Sequence, residues 1–138
     1  MLKHNLYIIW KSDNELGIPV VDEQHRAIIS VINTLHYFTI HNMGKEVLES
    51  ILITLKEYTK YHFMLEENVM EMEGYPDFDH HQKLHNQLAI KMKQISSKIK
   101  IEHDPGELLK FLRDWWLNHI CVEDRKYAEF INNKTGGV

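Results

Sequence analysis

Apolar residues recur along this chain at intervals of three and four, the period of one face of an α-helix, and no segment alternates at the interval of two that a half-buried strand shows. From Asp22, whose side chain suits an N-cap, a first stripe runs through Ile28, Ile29, Ile32 and Leu35, with His25 four residues before Ile29. The sequence His41-Asn42-Met43-Gly44 supplies its stop, with Gly44 expected in the left-handed conformation that ends many helices. A second stripe, Leu48, Ile51, Leu52, Leu55, Tyr58, His62, Val69 and Met70, predicts a helix over about residues 45–73. Gly74-Tyr75-Pro76 terminates it, because glycine permits positive φ and proline resists continuation. A third helix starts near Asp79 and carries His81, Leu84, His85, Leu88, Met92, Ile95 and Ile99 on one face. A fourth opens at Asp104-Pro105, an N-cap followed by a proline whose missing N–H costs nothing in the first turn. It carries Leu108, Leu112, Trp115, His119, Ile120, Tyr127 and Ile131.

The first twenty residues, with Trp10, Gly17 and Pro19, hold no sustained period and are expected to form an extended arm packed across the rest. The tail from Lys134 is expected to fray. Amphipathic helices joined by short turns bury their stripes against one another, and short connections make neighbours antiparallel. The pattern therefore predicts an all-α protein, an up-down-up-down antiparallel four-helix bundle with an extended N-terminal arm. It is expected to be one domain over residues 1–138, with the arm at about 1–20 and the bundle at about 21–132.

Composition restricts partners and compartment. At 138 residues, 43% hydrophobic and 26% charged, the chain is long enough for one continuous core and too apolar for disorder. Its formal charge of −4 leaves no footprint for a phosphate backbone, so nucleic acid is not expected as a partner. Lys91, Lys93, Lys98 and Lys100 come nearest to a basic run, and their place in a periodic helix reads as a solvated face. No apolar run reaches bilayer length and the N-terminus lacks the pattern of a secretory signal, so a cytoplasmic protein with no membrane partner is expected. The single cysteine, Cys121, excludes an internal disulfide and is expected to be a small buried residue.

Ten histidines are more than a chain of this size needs for structure. His4, His36, His41, His80 and His103 fit no ligand pattern; the others do. His62 and Glu66, like His81 and His85, are four apart and project from one helix face. Each pair lies within an apolar stripe and so faces the interior, where an imidazole or carboxylate needs a partner to offset lost hydration. His81 is preferred to His80 because it has His85 four residues on. On the fourth helix, His119 and Asp124 are five apart, about 140° on a wheel of ~100° per residue, so spacing alone favours Glu123. Neighbours favour Asp124: Ile120, Tyr127 and Ile131 continue its apolar stripe, whereas Glu123 has Lys126 three residues on. The candidate ligands are His25, His62, Glu66, His81, His85, His119 and Asp124. Imidazole-rich ligation with two carboxylates suits iron, zinc, copper or nickel better than magnesium or calcium. Seven ligands are too many for one tetrahedral zinc and suit two octahedral ions bridged by both carboxylates, with a position left for a small molecule. Trp10, Trp115, Trp116 and Ile120 are candidates for pocket lining, with core packing their first role. Tyr127 is a core residue that could reach Asp124, and Asp22 could support His25 besides capping its helix.

These features resemble the haemerythrin family, and within it the single-domain bacteriohaemerythrins. The resemblance rests on Gly17-Ile18-Pro19, Asp22-Glu23-Gln24-His25 and His62-Phe63-Met64-Leu65-Glu66-Glu67. It continues through Met70, Tyr75-Pro76 and His81-Gln82-Lys83-Leu84-His85, to His119-Ile120-Cys121-Val122-Glu123-Asp124 with Tyr127. One His-x-x-x-His is a weak signal, but the whole series in order, over about residues 10–131, is specific. Myohaemerythrin is itself a standard example of the four-helix class, so the predicted fold adds no independent support. The resemblance implies a non-haem di-iron site, oxo- or hydroxo-bridged, that binds dioxygen. His81, His85 and His119 would hold one iron, His25 and His62 the other, with Glu66 and Asp124 bridging and the open position on the His25/His62 side. It also selects Asp124 over Glu123. Leu88 departs from the family, where an aromatic residue is common, which bears on ligand access and autoxidation.

Three functions compete. The leading expectation is a non-enzymatic protein that stores dioxygen or delivers it within the cell, its protein recipient unknown. The second is an oxygen or redox sensor acting through a partner; the chain shows no attached signalling domain or linker, which lowers that reading. The third is a di-iron enzyme handling peroxide or nitric oxide. Near-saturated metals in an apolar pocket favour binding over turnover, and the paired Glu-x-x-His motifs of ferritin-like oxidases are absent.

Overall fold

A computed structural model describes residues 6–136. Helix α1 is Pro19–His41, α2 is Lys45–Met72 and α3 is Phe78–Glu102. The fourth rod comprises α4, Gly106–Trp115, a π-helical stretch Trp116–Glu123 and α5, Asp124–Gly136, continuous through both junctions. The tail expected to fray is helical as far as Gly136, and Lys134 Nζ donates to the Glu73 carbonyl at 3.0 Å. Residues 1–5 and 137–138, with His4 and the start of the arm, lie outside the described residues. Among those described, no helix is long and apolar enough to cross a membrane.

The bundle closes because α1 packs on α2 and α4, and α3 on α2 and α4. Connections of a few residues reverse the chain each time, and their chemistry differs in places from expectation. Asn42, not Gly44, takes the left-handed conformation that ends α1 (φ 50°, ψ 59°), while Gly44 at φ 96° precedes α2. At the end of α2, Gly74 has φ 70°, and the Tyr75 N–H reaches back to the Met70 carbonyl at 2.9 Å, closing the turn in the expected way. Pro105, not Asp104, is the N-cap residue of α4; Asp104 stands one residue earlier, and its Oδ1 accepts the Gly106 N–H at 2.9 Å.

Asp22 is not the N-cap of α1: Pro19 opens the helix after Ile18, and Asp22 stands one turn in. Its carboxylate instead accepts the N–H groups of Leu16 (2.8 Å) and Gly17 (3.2 Å), tying down the arm. The arm is extended apart from one 3₁₀ turn, Ser12–Asn14. It is held by a reciprocal pair between the Ile8 backbone and the Asn33 side chain, both bonds 2.9 Å, and by Asn132 Nδ2 donating to Leu16 O at 2.7 Å.

The apolar core comprises two clusters. One contains Ile28, Ile32, Leu35, Leu55, Ile95, Leu108 and Leu112; the smaller contains Leu16, Val21, Met70, Tyr75, Tyr127 and Ile131. The predicted ligands fall where the two clusters meet, His25 between Val21 and Ile28, Glu66 between Phe63 and Met70, and Asp124 between Ile120 and Tyr127, so the continuous core expected from length is interrupted by a polar layer.

Candidate metal centre

Each rod contributes to that layer: His25 from α1, His62 and Glu66 from α2, His81 and His85 from α3, His119 and Asp124 from the fourth. All seven are buried, none more than 5% exposed. The four-residue pairs converge as their spacing predicts, with His62 Nε2 3.1 Å from Glu66 Oε1 and the His81 and His85 ring centroids 4.7 Å apart.

His119 and Asp124 meet for a reason that wheel arithmetic misses. In the π-helical stretch the Asp124 N–H donates to the His119 carbonyl, a bond spanning five residues. The wider turn aligns side chains that an α-helix would splay, and His119 Nε2 lies 3.1 Å from Asp124 Oδ1. Glu123 faces outward and pairs with Lys126 at 3.1 Å. The structure brings Asp124 into the layer, not Glu123.

The donor atoms form two overlapping groups. Glu66, His81, His85, His119 and Asp124 make one; His25, His62, Glu66 and Asp124 make the other; within each, the donor atoms lie within 4.8 Å of one another. Both carboxylates belong to both. Asp124 Oδ1 lies 2.9 Å from His81 Nε2 and its Oδ2 3.2 Å from His25 Nε2. Glu66 Oε1 lies 3.3 Å from His85 Nε2 and its Oε2 3.6 Å from His25 Nε2. These are close approaches without hydrogen-bond alignment. Glu66 Oε1, both Asp124 oxygens and the Nε2 atoms of His81, His85 and His119 have no hydrogen-bond partner among the described residues. Buried polar atoms without partners are costly, and lone pairs converging on two common points are what cations would satisfy. The residues present fit a pair of metal ions.

Residues absent from the sequence prediction hold the ligands from outside. His62 Nδ1 lies 2.8 Å from Gln24 Oε1 and His85 Nδ1 2.9 Å from Glu67 Oε2. A donated Nδ1 proton in each case leaves the Nε2 lone pair facing inward. Gln82 Nε2 donates to Glu67 Oε1 at 2.9 Å, fixing that carboxylate in turn. The Tyr127 hydroxyl donates to Glu66 Oε2 at 2.6 Å rather than reaching Asp124. Asp22, occupied by the arm, does not support His25. Phe63 lies flat on His85, centroids 3.9 Å apart and planes at 7°. Trp116 meets His25 edge-on at 6.0 Å, and Trp10 lies 6.0 Å beyond Trp116. Trp115 and Ile120 are buried in the adjoining core, and Leu88 borders a small apolar void with Phe63, Phe111 and Trp115. Cys121 is half-buried and accepts from Asn14 Nδ2 at 3.7 Å; burial pushes its thiol up. Of the histidines set aside, His36 stacks on Tyr7, His41 lies against Tyr37, His103 ends α3 and His80 is exposed.

Without metal the cluster is an ion network. Burial opposes a charged His25, but contacts with Asp124 and Glu66 raise its pKa to about 9. Burial likewise opposes ionisation of Glu66, yet His62, with contacts from His25 and His85, holds it well below the usual carboxylate range. Asp124 is also held low: burial and the Glu66 charge work against ionisation, and His119 and His25 outweigh them. Burial, with the Glu66 charge, pushes the Tyr127 phenol well up, so it stays a donor.

Bundle and polar layer together define a class: a four-helix protein built to hold cations in its core. A family model described as the Hemerythrin HHE cation binding domain matches residues 16–131. The chain belongs to the haemerythrin family. It is 32% identical over 123 residues to a "Bacteriohemerythrin" of Stenotrophomonas maltophilia, covering 88% of this chain and 80% of that one. A "Bacteriohemerythrin" of Clostridium acetobutylicum is 30% identical, covering 88% and 98% of the two chains. Among solved structures, the crystal structure of a hemerythrin with one leucine replaced by alanine superposes with a TM-score of 0.82 at 26% identity, covering 91% of this chain and 97% of that one.

Proposed function

We propose that this chain is a non-haem di-iron protein that binds dioxygen reversibly, for storage or delivery within the cell. The observation that carries the reading is the pair of overlapping ligand groups sharing Glu66 and Asp124. His81, His85 and His119 would hold one iron and His25 with His62 the other, with Glu66 and Asp124 shared between the two groups. The His25/His62 side offers one fewer protein ligand and would be the side with room for a small molecule. A nitrogen-rich set with two carboxylates suits iron, and the relatives named bacteriohemerythrin support the choice.

Bound iron would supply reversible electron transfer to dioxygen. The protein's own part is to position, to exclude water and to hold protons. Gln24 and Glu67 orient His62 and His85, and Tyr127 orients Glu66. Trp116, Trp10 and Phe63 wall the cluster with aromatic surface that keeps water from the ligands. The ionisable groups packed in the cluster are ligands, apart from Tyr127, whose proton is committed to Glu66, and Glu67, whose carboxylate is occupied as an acceptor by His85 and Gln82. With no spare acid to deliver protons, binding and release are favoured over turnover.

Anaerobic reduction followed by air, with the visible spectrum and the iron content followed together, tests the reading. Two irons per chain and a charge-transfer band that disappears on degassing are expected. A colourless zinc protein, irreversible oxidation or steady consumption of a substrate would overturn it. His62→Ala and Glu66→Ala should each abolish the band; full oxygen binding in either would show that the ligands are misassigned.

A further inference from the structure

Along α2 and α3 runs a groove of about 590 Å³ that borders the metal centre at His85, Glu67 and Gln82 and extends well beyond it. One wall extends from Leu52 to Glu71 of α2, roughly 30 Å at 1.5 Å per residue, and antiparallel α3 supplies the other. A space of this size is in the range that holds small-molecule ligands. Its lining includes Phe63 and Met92, both buried, and Met64 and Ala89 nearer the surface. The Phe63 ring lies flat on His85, and both line the groove.

The charges along the groove are sorted by sign. Lys56, Lys60, Lys93 and Lys100 line one half; all four are exposed, and none of their ammonium groups makes an ion pair or hydrogen bond among the described residues. Lys93 and Lys100 belong to the run that periodicity assigns to a solvated face, and these two of its four lysines line the groove. The acids Glu67 and Glu71 line the other half, and Glu67 is already occupied by His85 and Gln82.

A second observation lies within the lysine half. Thr59 is only 4% exposed and lines the groove, and its hydroxyl has no partner among the described residues. Earlier on the same helix, Ser50 and Thr54 return their hydroxyls to the carbonyl four residues back, at 3.1 and 2.9 Å. Thr59 does not, and a buried hydroxyl left unpaired is costly. It awaits an acceptor.

We propose that this groove binds a single-chain amphipathic carboxylate, a free fatty acid. The carboxylate lies among Lys56, Lys60 and Lys93 and accepts from the Thr59 hydroxyl. The alkyl chain runs over Phe63, Met64 and Ala89 toward Phe78, past Asn68, Gln82 and Asn86, which also line that half. From Thr59 to Glu71 that path is roughly 18 Å by helical rise. The acids at the far end set the orientation, since they repel a carboxylate placed there.

Titrating palmitate, below its micellar concentration, into the intact metal-loaded protein reads the site calorimetrically. One palmitate per chain is expected, with methyl palmitate, which lacks the charge, at least ten-fold weaker. The double variant Lys60→Glu/Lys93→Glu should weaken palmitate at least ten-fold and Thr59→Val several-fold, with helicity and metal content unchanged. Absence of palmitate binding, or binding indifferent to the charge reversal, would overturn the proposal. So would a concentration-dependent dimer in sedimentation that the same double variant dissolves, since the groove would then be filled by a second copy. The heat of binding does not depend on oxygen chemistry, so this proposal and the di-iron reading fail separately.

Discussion

Glu66 and Asp124 carry more of the centre than any other residue, because each offers one oxygen to either donor group and neither is exposed to solvent. The imidazoles around them depend on partners behind. Glu67 is the clearest case: it holds His85 through Nδ1 and is itself held by Gln82. Glu67→Ala should weaken metal binding by about 10–100-fold, the usual effect of removing a group that orients a ligand. Competition against a chelator reads it, and unchanged affinity would show that Phe63 alone suffices to orient the ring. Six of the seven candidate ligands were legible from helical periodicity, and Asp124 from its neighbours, because an apolar stripe marks the buried face of a helix. Gln24, Glu67 and Gln82 were not. Their partners lie across the bundle, and periodicity says which side of a helix is buried but not what faces it.

At the scale of the element, the fourth rod holds the least legible feature. His119 and Asp124 project together only because the backbone carries one extra residue in a π turn. Inserting an alanine after Val122 should rotate Asp124 by ~100° and abolish metal binding while leaving helicity nearly intact. Deleting Val122, an exposed residue, should relax the stretch to a plain α-helix with the two ligands four apart, retaining metal. Metal content measured beside circular dichroism decides, and equal loss in both variants would mean that the π turn matters for more than register. The resemblance selected Asp124, but residue spacing had no means of showing how the backbone brings it round. Other element-level differences have similarly local causes. Asp22 is drawn from capping to the arm because Pro19 already opens α1, and Asn42 takes the left-handed position assigned to Gly44.

Across the whole molecule, a polar layer between two apolar clusters makes folding and metal binding interdependent. Cations that bind only the folded chain stabilise it in proportion to RT ln(1 + [L]/Kd). Stripping the metal should therefore lower the melting temperature, on the order of 10 °C for a chain of this size. The metal-free protein should also depend on pH in a defined sense. His25 has its pKa raised from 6.5 to about 9, so its contribution is complete below 6.5 and is lost as pH rises through 9. Glu66 and Asp124 are depressed, so theirs is complete above the ordinary carboxylate range and is lost as pH falls below it. Thermal melts of the stripped protein across pH should show a maximum between those limits; a flat profile would mean that the cluster rearranges when empty.

The amino-acid sequence by itself determined the helical class, the number of rods, the bundle topology and the inward direction of most ligands. Those follow from local periodicity and short connections, which act within a single helix or turn. Only the tertiary structure decided which donors share a metal position, which side chains steady them and how Asp124 joins His119. These depend on distances between rods and on one irregular turn, and burial that leaves no other partner for the donor atoms enforces the arrangement.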